Sequence, residues 1–305
     1  YECFSETCEI SSKLGAALIE GMQGDLSSQY AIATAKHYIG EGIAKNGINQ
    51  GDIDGKLFEK ELEELLIPYR KAIASGVKSV MVTYSSIDGV KCHENKNLIT
   101  DILKGDLGFK GIVITDYNGT DQVSGSTYKE KIEKTINAGM DMLMIDGNEG
   151  NTPKWLLARD NIMKSVEEKK ISLERIDDAV RRILTVKCEL GLLDDVKLAY
   201  ADQELLAQFG SDEHRQIARE AVRKSLTLLK NSETQNGSTL MADLKNMKKI
   251  IVAGETGDDI GLQCGGWTIS WQGSKGKITK GTTIYSGLRE LAGKDKTIDY
   301  NANGY

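Results

Sequence analysis

Hydrophobic residues recur at two different spacings along the first two-thirds of the chain. In six segments they follow one another at intervals of three and four residues, which is the period of an amphipathic helix. Short, mostly apolar runs with the length of a buried strand stand between these segments. The helical spacing predicts helices over residues 10–22, 57–75, 97–105, 127–138, 155–169 and 172–190. The apolar runs predict strands over residues 33–39, 79–84, 111–116 and 140–145.

The order of these elements predicts a parallel α/β sheet. Each of the four strands is followed by a helix, and this alternation is typical of a parallel sheet covered on both faces. An open doubly wound sheet and a (β/α) barrel both fit the pattern. In either fold, functional groups gather at the carboxyl ends of the strands. Polar residues lie at the ends of all four predicted strands, at Lys36-His37, Tyr84-Ser85-Ser86, Asp116-Tyr117 and Asp146-Gly147.

The last third of the chain has a different pattern. A long amphipathic helix is predicted over 211–231, and the polar stretch 231–239 is typical of a linker. Residues 249–254 form another apolar run, a Gly-rich stretch with two Trp residues covers 261–281, and a further strand begins near residue 299. So few elements in fewer than 100 residues indicate an incomplete α/β domain.

Composition and charge exclude several classes of protein. The 305 residues carry a net charge of −6, so the chain lacks the basic surface that holds nucleic acid. No apolar run approaches the roughly 18 residues of a membrane-spanning helix. The five Cys residues form no CxxC pair, which argues against a zinc site and a fully paired disulfide framework; mostly free, buried thiols are expected. Dinucleotide, Walker, GxSxG and HExxH motifs are absent, so we expect no cofactor and no metal.

Asp116 is the first candidate for chemistry, because it ends the clearest strand of the chain. It is either a catalytic carboxylate or a helix cap. Lys36 and His37 can donate hydrogen bonds to a ligand, or they form a salt bridge and pack in the core. A catalytic role for His93, beside Cys92, is disfavoured because sequence neighbours seldom form a dyad. The two Trp residues of 265–271 either stack on a ligand or belong to the core.

Several segments together resemble one known family. They are Lys36-His37-Tyr38-Ile39-Gly40-Glu41-Gly42, the segment 80–90, Gly108-Phe109-Lys110-Gly111-Ile112-Val113-Ile114-Thr115-Asp116-Tyr117-Asn118-Gly119, the segment 175–184, Ala218-Arg219-Glu220-Ala221 and the segment 263–273. These six blocks occur in order and resemble glycoside hydrolase family 3, most closely its plant-type β-glucan exohydrolase and β-glucosidase branch. The resemblance covers nearly the whole chain.

The resemblance implies the C-terminal half of a TIM-like (β/α) barrel, followed by the start of an α/β sandwich domain. Residues 1–195 would form the partial barrel and carry the nucleophile. Residues 196–240 would be a connecting helix and linker, and residues 241–305 the beginning of the sandwich domain. The chain begins at Tyr1 without a Met, so we expect either a processed protein or a fragment.

The resemblance also implies a retaining β-glycosidase that removes terminal glucose from a β-glucoside or β-glucan oligosaccharide. Asp116 occupies the family's nucleophile position. Lys36 and His37 occupy the pair that binds hydroxyls of the terminal sugar, and Trp267 and Trp271 occupy the aromatic clamp on the next sugar. Tyr84 and Tyr117, which follow the ends of two predicted strands, are further candidates for sugar binding.

Departures from the family pattern keep a second interpretation open. Tyr117 stands where the family usually has Trp, Gln122 where it has Arg, and Gln50 where it has Glu. The general acid/base Glu of this branch is expected beyond the sequence. A non-catalytic relative that binds sugar or serves as an assembly subunit is therefore the alternative. We expect the rest of the same protein, or a partner chain, to complete the barrel, and a secreted or extracytoplasmic location.

Overall fold

The computed structural model describes residues 2–195, 200–233, 237 and 247–304. The chain divides into two compact units, Glu2–Phe209 and Gly210–Tyr305. Of the predicted connecting segment 196–240, residues 196–199, 234–236 and 238–240 lie outside the described residues.

A three-stranded parallel sheet forms the centre of the first unit. The strands of this unit are β1 (Thr34–Tyr38), β2 (Asp52–Ile53), β3 (Ser79–Val82), β4 (Ser86–Ile87), β5 (Val90–Lys91), β6 (Ile112–Ile114), β7 (Asn148–Glu149) and β8 (Thr152–Pro153). The central sheet has the order β1-β3-β6, with Ala35 beside Val80 and Val80 beside Val113. These parallel strands in a mixed α/β unit confirm the predicted fold class.

Helices follow the strands, as the alternating pattern predicts. They are α1 (Cys8–Gln23), α2 (Gly55–Ala74), a π-helix (Asn97–Asp106), α3 (Tyr128–Ala138), α4 (Lys154–Glu167), α5 (Leu173–Glu189) and α6 (Gln203–Gln208). Asp54, Thr127 and Ser172 cap α2, α3 and α5, because each side chain accepts a backbone N–H of the first turn. All six helices predicted for this part of the chain are present, and each begins and ends within two residues of its predicted bounds.

The segment 140–145 differs from its prediction as a strand. It runs beside β6 but forms only one parallel bridge, between Ile114 and Met142. The Met144 N–H turns to the side-chain hydroxyl of Thr115 at 2.9 Å instead of a backbone carbonyl. The regular ladder of hydrogen bonds therefore stops where the chain leaves the sheet.

The core of the first unit lies around the parallel sheet. Val80, Val82 and Val113 are fully buried, and Leu66 of α2 and Ile99 of the π-helix pack in the same cluster. Burying each such side chain contributes roughly 1.5–3 kcal/mol. Among the five Cys residues only Cys92 is buried, so the expectation of mostly buried thiols is wrong.

A buried ion cluster ties α5 to the sheet. The Asp141 carboxylate is fully buried and lies 2.7 Å from the Lys104 ammonium; Arg175 also binds it. Asp178 pairs with Arg175 at 2.6 Å and with Arg182 at 3.0 Å. Burial lowers the pKa of Lys104, although Asp141 opposes the shift. These charges are paired, which is how proteins accommodate ionised groups in the interior.

The second unit contains a two-stranded parallel sheet. Its elements are the strands β9 (Lys249–Ala253) and β10 (Thr297–Asn301) and the helices α7 (Asp212–Ser225), α8 (Ile260–Cys264) and α9 (Ile284–Ala292). Ile250 lies beside Ile298 in this sheet. The helix predicted over 211–231 ends six residues early, because Leu226 takes up an extended backbone. Within the described ranges, no helix has the length and apolar character needed to cross a membrane.

Candidate active site

Asp116 lies at the carboxyl end of β6, where the chain turns away from the sheet. Its carboxylate Oδ1 accepts the Tyr117 N–H at 2.6 Å, and its own backbone N–H donates to His93 Nε2 at 3.1 Å. The short helix Gly119–Gln122 that follows is preceded by Asn118, so Asp116 is not its N-cap. The carboxylate is 14 % exposed, which leaves it accessible to a ligand.

His37 connects β1 to this carboxylate. Its Nε2 lies 3.5 Å from Asp116 Oδ2, and its Nδ1 lies 3.0 Å from Glu41 Oε2. An imidazolium can donate to both carboxylates, whereas a neutral ring can donate to one. The two oxygens of Asp116 thus have different surroundings, since Oδ1 binds the backbone and Oδ2 faces an imidazole.

Glu41 holds the far side of the His37 ring. Its Oε1 accepts the hydroxyl of Thr83 at 3.0 Å, and Thr83 is fully buried at the end of β3. This hydrogen bond fixes Glu41, and Glu41 in turn fixes the orientation of His37. Sequence reasoning singled out His37 but missed the supporting role of Glu41, although both lie in one segment four residues apart.

Lys36 points its ammonium to Glu2, with which it forms an ion pair. The second oxygen of Glu2 lies 3.9 Å from His37 Nε2, so Glu2 links the side chains of Lys36 and His37. Lys36 is therefore joined to the Asp116 site through Glu2 and His37.

Two tyrosines border Asp116. The Tyr84 hydroxyl donates to the Tyr117 carbonyl, and burial together with the nearby Asp116 carboxylate raises the pKa of Tyr84 well above its usual value. The Tyr117 hydroxyl donates to Asp146, and this hydrogen bond raises the pKa of Tyr117. Both phenols therefore remain protonated donors around neutral pH. Tyr117 is half exposed, as expected for a residue at a rim.

His93 is buried directly beneath Asp116. Burial lowers the pKa of His93 to about 3, with Lys91 and His37 adding to the shift. Burial also raises the pKa of the neighbouring Cys92 to about 12, so this thiol is not a ready nucleophile. That Cys92 and His93 form no catalytic dyad stays a prediction from the sequence.

A pair of glutamines joins two loops of the first unit. Gln122 Nε2 donates to Gln50 Oε1 at 3.0 Å. These are the two positions at which the resemblance expects Arg and Glu. The structure thus brings both departures from the family pattern together in one contact.

Trp267 and Trp271 lie in the second unit. The backbone N–H of Trp267 donates to the backbone carbonyl of Trp271 at 2.9 Å, and both residues are about 60 % exposed. They are therefore not core aromatics of that unit. Within the described ranges, no group of three or more His, Cys, Asp or Glu side chains is arranged to hold a metal ion.

Comparison with known proteins identifies the family. Residues 1–186 match the model of the glycosyl hydrolase family 3 N terminal domain. The chain belongs to glycosyl hydrolase family 3. Among curated members, it is 32 % identical to a beta-xylosidase of Formosa agariphila, over 98 % of this chain and 41 % of the relative. It is 27 % identical to the lysosomal beta glucosidase of Dictyostelium discoideum, over 99 % of this chain and 37 % of that protein.

Solved structures of the family show the same architecture. The exo-1,3/1,4-beta-glucanase of a Pseudoalteromonas species superposes with a TM-score of 0.82 at 33 % identity, covering 99 % of this chain and 37 % of that one. The beta-glucosidase of Listeria innocua in complex with glucose gives a TM-score of 0.79 at 27 % identity, covering 100 % and 40 %. The chain therefore spans about two-fifths of the length of these family members.

Proposed function

We propose that this protein is a retaining, exo-acting β-glycosidase whose nucleophile is Asp116. The observation that carries this proposal is the asymmetric setting of the carboxylate. Oδ1 is fixed by the Tyr117 N–H, whereas Oδ2 faces His37 at 3.5 Å. A nucleophile needs one free oxygen in a fixed orientation, and Oδ2 meets this requirement.

In the first step, Asp116 Oδ2 attacks the anomeric carbon of the terminal sugar. The bond to the leaving-group oxygen breaks, and that oxygen takes a proton from a general acid. In the second step, water attacks the anomeric carbon, gives its proton to the same group, and releases Asp116. The resemblance assigns this second carboxyl to a Glu beyond the sequence. Glu2 does not suit the role, because its carboxylate is already engaged in the ion pair with Lys36.

The sugar-binding groups support a substrate with several hydroxyls. Lys36, His37 and the hydroxyls of Tyr84 and Tyr117 are hydrogen-bond donors near the Asp116 end of the sheet. They now bind Glu2, Glu41, the Tyr117 carbonyl and Asp146, and the hydroxyls of a sugar would compete for them. Structures of the similar Listeria innocua enzyme are complexes with glucose and laminaribiose. We therefore propose a terminal β-linked glucose, in a β-glucoside or β-glucan oligosaccharide, as the substrate. A secreted or extracytoplasmic location remains part of the proposal.

Covalent labelling tests the assignment of the nucleophile. A 2-fluoro-glucosyl donor with a dinitrophenolate leaving group needs little help from a general acid. Its rate of labelling therefore reports on nucleophilic attack by Asp116 and not on protonation of the leaving group. We expect the full chain to gain one fluoro-glucosyl group on Asp116. Asp116→Asn should keep the fold and take no label, whereas the control Asp101→Asn, at an exposed helical position, should label normally.

The alternative is a non-catalytic, sugar-binding or assembly subunit. The neutral Gln50 and Gln122 are the observations that favour it, because they replace two charged residues of the family pattern. Glucose binding without label on Asp116, together with no release of aryl aglycone, would favour this alternative. Label on another carboxylate would place the nucleophile elsewhere.

A further inference from the structure

We propose that His93 is a positioning residue for Asp116. Its imidazole binds the backbone N–H of Asp116 and so fixes the position of this residue. This inference rests on the proposed role of Asp116 as nucleophile. His93 lies in the short helix Cys92–Glu94 and is fully buried. Its Nε2 accepts the Asp116 N–H at 3.1 Å.

The hydrogen bond replaces a backbone contact at the point where β6 ends. The N–H of Thr115 donates to the carbonyl of Met142, and the N–H of Asn118 donates to the carbonyl of Met144. Between these two anchors, the Asp116 N–H turns to a side chain. His93 therefore determines where the chain leaves the sheet and in which direction the Asp116 side chain starts.

The acceptor role requires a neutral ring with its lone pair on Nε2. Its proton must then be on Nδ1, which has no hydrogen-bond partner among the described residues. Burial lowers the pKa of His93 to about 3, and Lys91 and His37 add to the shift, so the imidazole is neutral; the centroid of the Tyr84 ring lies 5.8 Å from it. His93 therefore stays neutral around neutral pH.

Close packing fixes the ring as well as its protonation. A Cβ added at Gly119 would lie 2.5 Å from His93 Nε2. Gly119 follows Asp116 by three residues, and its N–H donates to the Asp116 carbonyl at 2.9 Å. Because Gly119 has no side chain, the His93 imidazole can approach the Asp116 backbone closely enough to bind its N–H.

The consequence concerns the geometry of attack. The Asp116 backbone is bound at its N–H by His93, and its Oδ1 is bound by the next N–H. These two contacts fix the backbone and the carboxylate plane, and so they fix the position from which Oδ2 attacks. Because a displacement of about 1 Å can cost about 100-fold in rate, loss of the His93 contact should reduce attack more than sugar binding.

The test compares His93→Gln with His93→Met in the full chain. Gln can present an acceptor near the position of Nε2, whereas Met fills similar space without one. We expect His93→Met to slow labelling of Asp116 by about 10- to 100-fold, with the half-saturating sugar concentration changed less than about threefold. His93→Gln should recover most of the rate. Equal labelling by both variants and wild type would overturn the proposal.

Two measurements without sugar separate this inference from the proposed function. The imidazole ¹⁵N shifts should show an unprotonated Nε2 and a protonated Nδ1, with no titration between about pH 8 and 5. The Asp116 amide should exchange with solvent faster in His93→Met than in His93→Gln. A titrating His93, or equal exchange in both variants, contradicts the positioning role even if Asp116 labels normally. The opposite outcome is also informative. If His93 carries its proton on Nδ1 and the Asp116 amide exchanges as expected, but wild type takes no label, the proposed function is contradicted and the contact between His93 and Asp116 stays supported.

Where His93→Met fails to fold, Gly119→Ala serves as the second variant. Its methyl group should push the imidazole away and accelerate exchange of the Asp116 amide. Gly42→Ala, which meets no atom within 4 Å, is the matched control and should leave exchange unchanged. Unchanged exchange in Gly119→Ala would contradict the proposal.

Discussion

Gln122 donates its side-chain N–H to the side-chain carbonyl of Gln50, with 3.0 Å between the two atoms. Gln50 belongs to the loop before β2, and Gln122 ends the short helix that follows Asp116. A neutral amide pair therefore connects the loop after Asp116 to the loop after Lys36-His37. In family 3 proteins of the resembling branch, a carboxylate and a guanidinium are expected at these positions.

The paired substitution Gln50→Glu with Gln122→Arg should restore an ion pair between the same loops. We expect a favourable coupling free energy of about 0.2–1 kcal/mol in a double-mutant cycle, because the pair is partly exposed. Urea unfolding of the four proteins at low and high salt measures it. The coupling should shrink at high salt. Absence of coupling at low salt would contradict the prediction that the new pair interacts.

Thr83 should contribute to the site through Glu41 and not through the sugar. Thr83→Val removes the hydroxyl that Glu41 Oε1 accepts at 3.0 Å, and leaves a partly buried carboxylate oxygen without this donor. We expect a loss of about 1–3 kcal/mol in the free energy of unfolding and slower labelling of Asp116. Thr83→Ser keeps the hydroxyl and is the control. Equal effects of both variants would exclude the hydrogen bond as the cause.

Much of the site follows from the sequence, and the part that does not depends on contacts between distant segments. Asp116 and His37 follow apolar runs, so their place at the carboxyl edge of a parallel sheet is predictable. His93 is not, because its partner is a backbone N–H 23 positions away and only the fold brings the two together. Residues 140–145 are apolar enough for a strand, yet the Thr115 hydroxyl takes a hydrogen bond that a ladder would use.

The buried ion cluster should make stability depend on acid pH. Although burial opposes it, attraction by Lys104 and Arg182 lowers the pKa of Asp178 below its usual value of 3.8. The Asp178 carboxyl therefore binds a proton more readily in the unfolded chain than in the folded one. Its ionised form stabilises the fold above about pH 4, and this stabilisation is lost as the pH falls through the folded-state pKa of Asp178. Asp178→Asn should unfold more easily at pH 6 and lose less stability between about pH 5 and 2.5 than wild type.

Thermal melts of both proteins across this pH range provide the measurement. Asp160, an exposed carboxylate paired with the adjacent Arg159, offers the control Asp160→Asn, which should follow the wild-type curve. Parallel curves for wild type and Asp178→Asn would show that the cluster contributes no acid-dependent stability.

Two helices of the first unit expose apolar residues in helical register. On α1 these are Ile10, Leu14 and Leu18, spaced by four residues, and on α5 they are Val180 and Leu184. Exposed apolar faces of this kind are usually covered by another element or chain, since their hydration is unfavourable. We therefore expect the isolated chain to bind a hydrophobic-surface dye or to associate.

Substitution of the α1 face tests this expectation. Leu14→Lys with Leu18→Lys should reduce dye binding and association, while far-ultraviolet circular dichroism stays unchanged because Lys is a good helix former. Lys13→Gln, on the exposed and charged side of the same helix, is the control and should alter neither property. A monodisperse monomer that melts cooperatively and binds no dye would show that these faces need no cover. Reduced dye binding only in the double variant would instead show that the apolar face of α1 is the surface to which the dye binds.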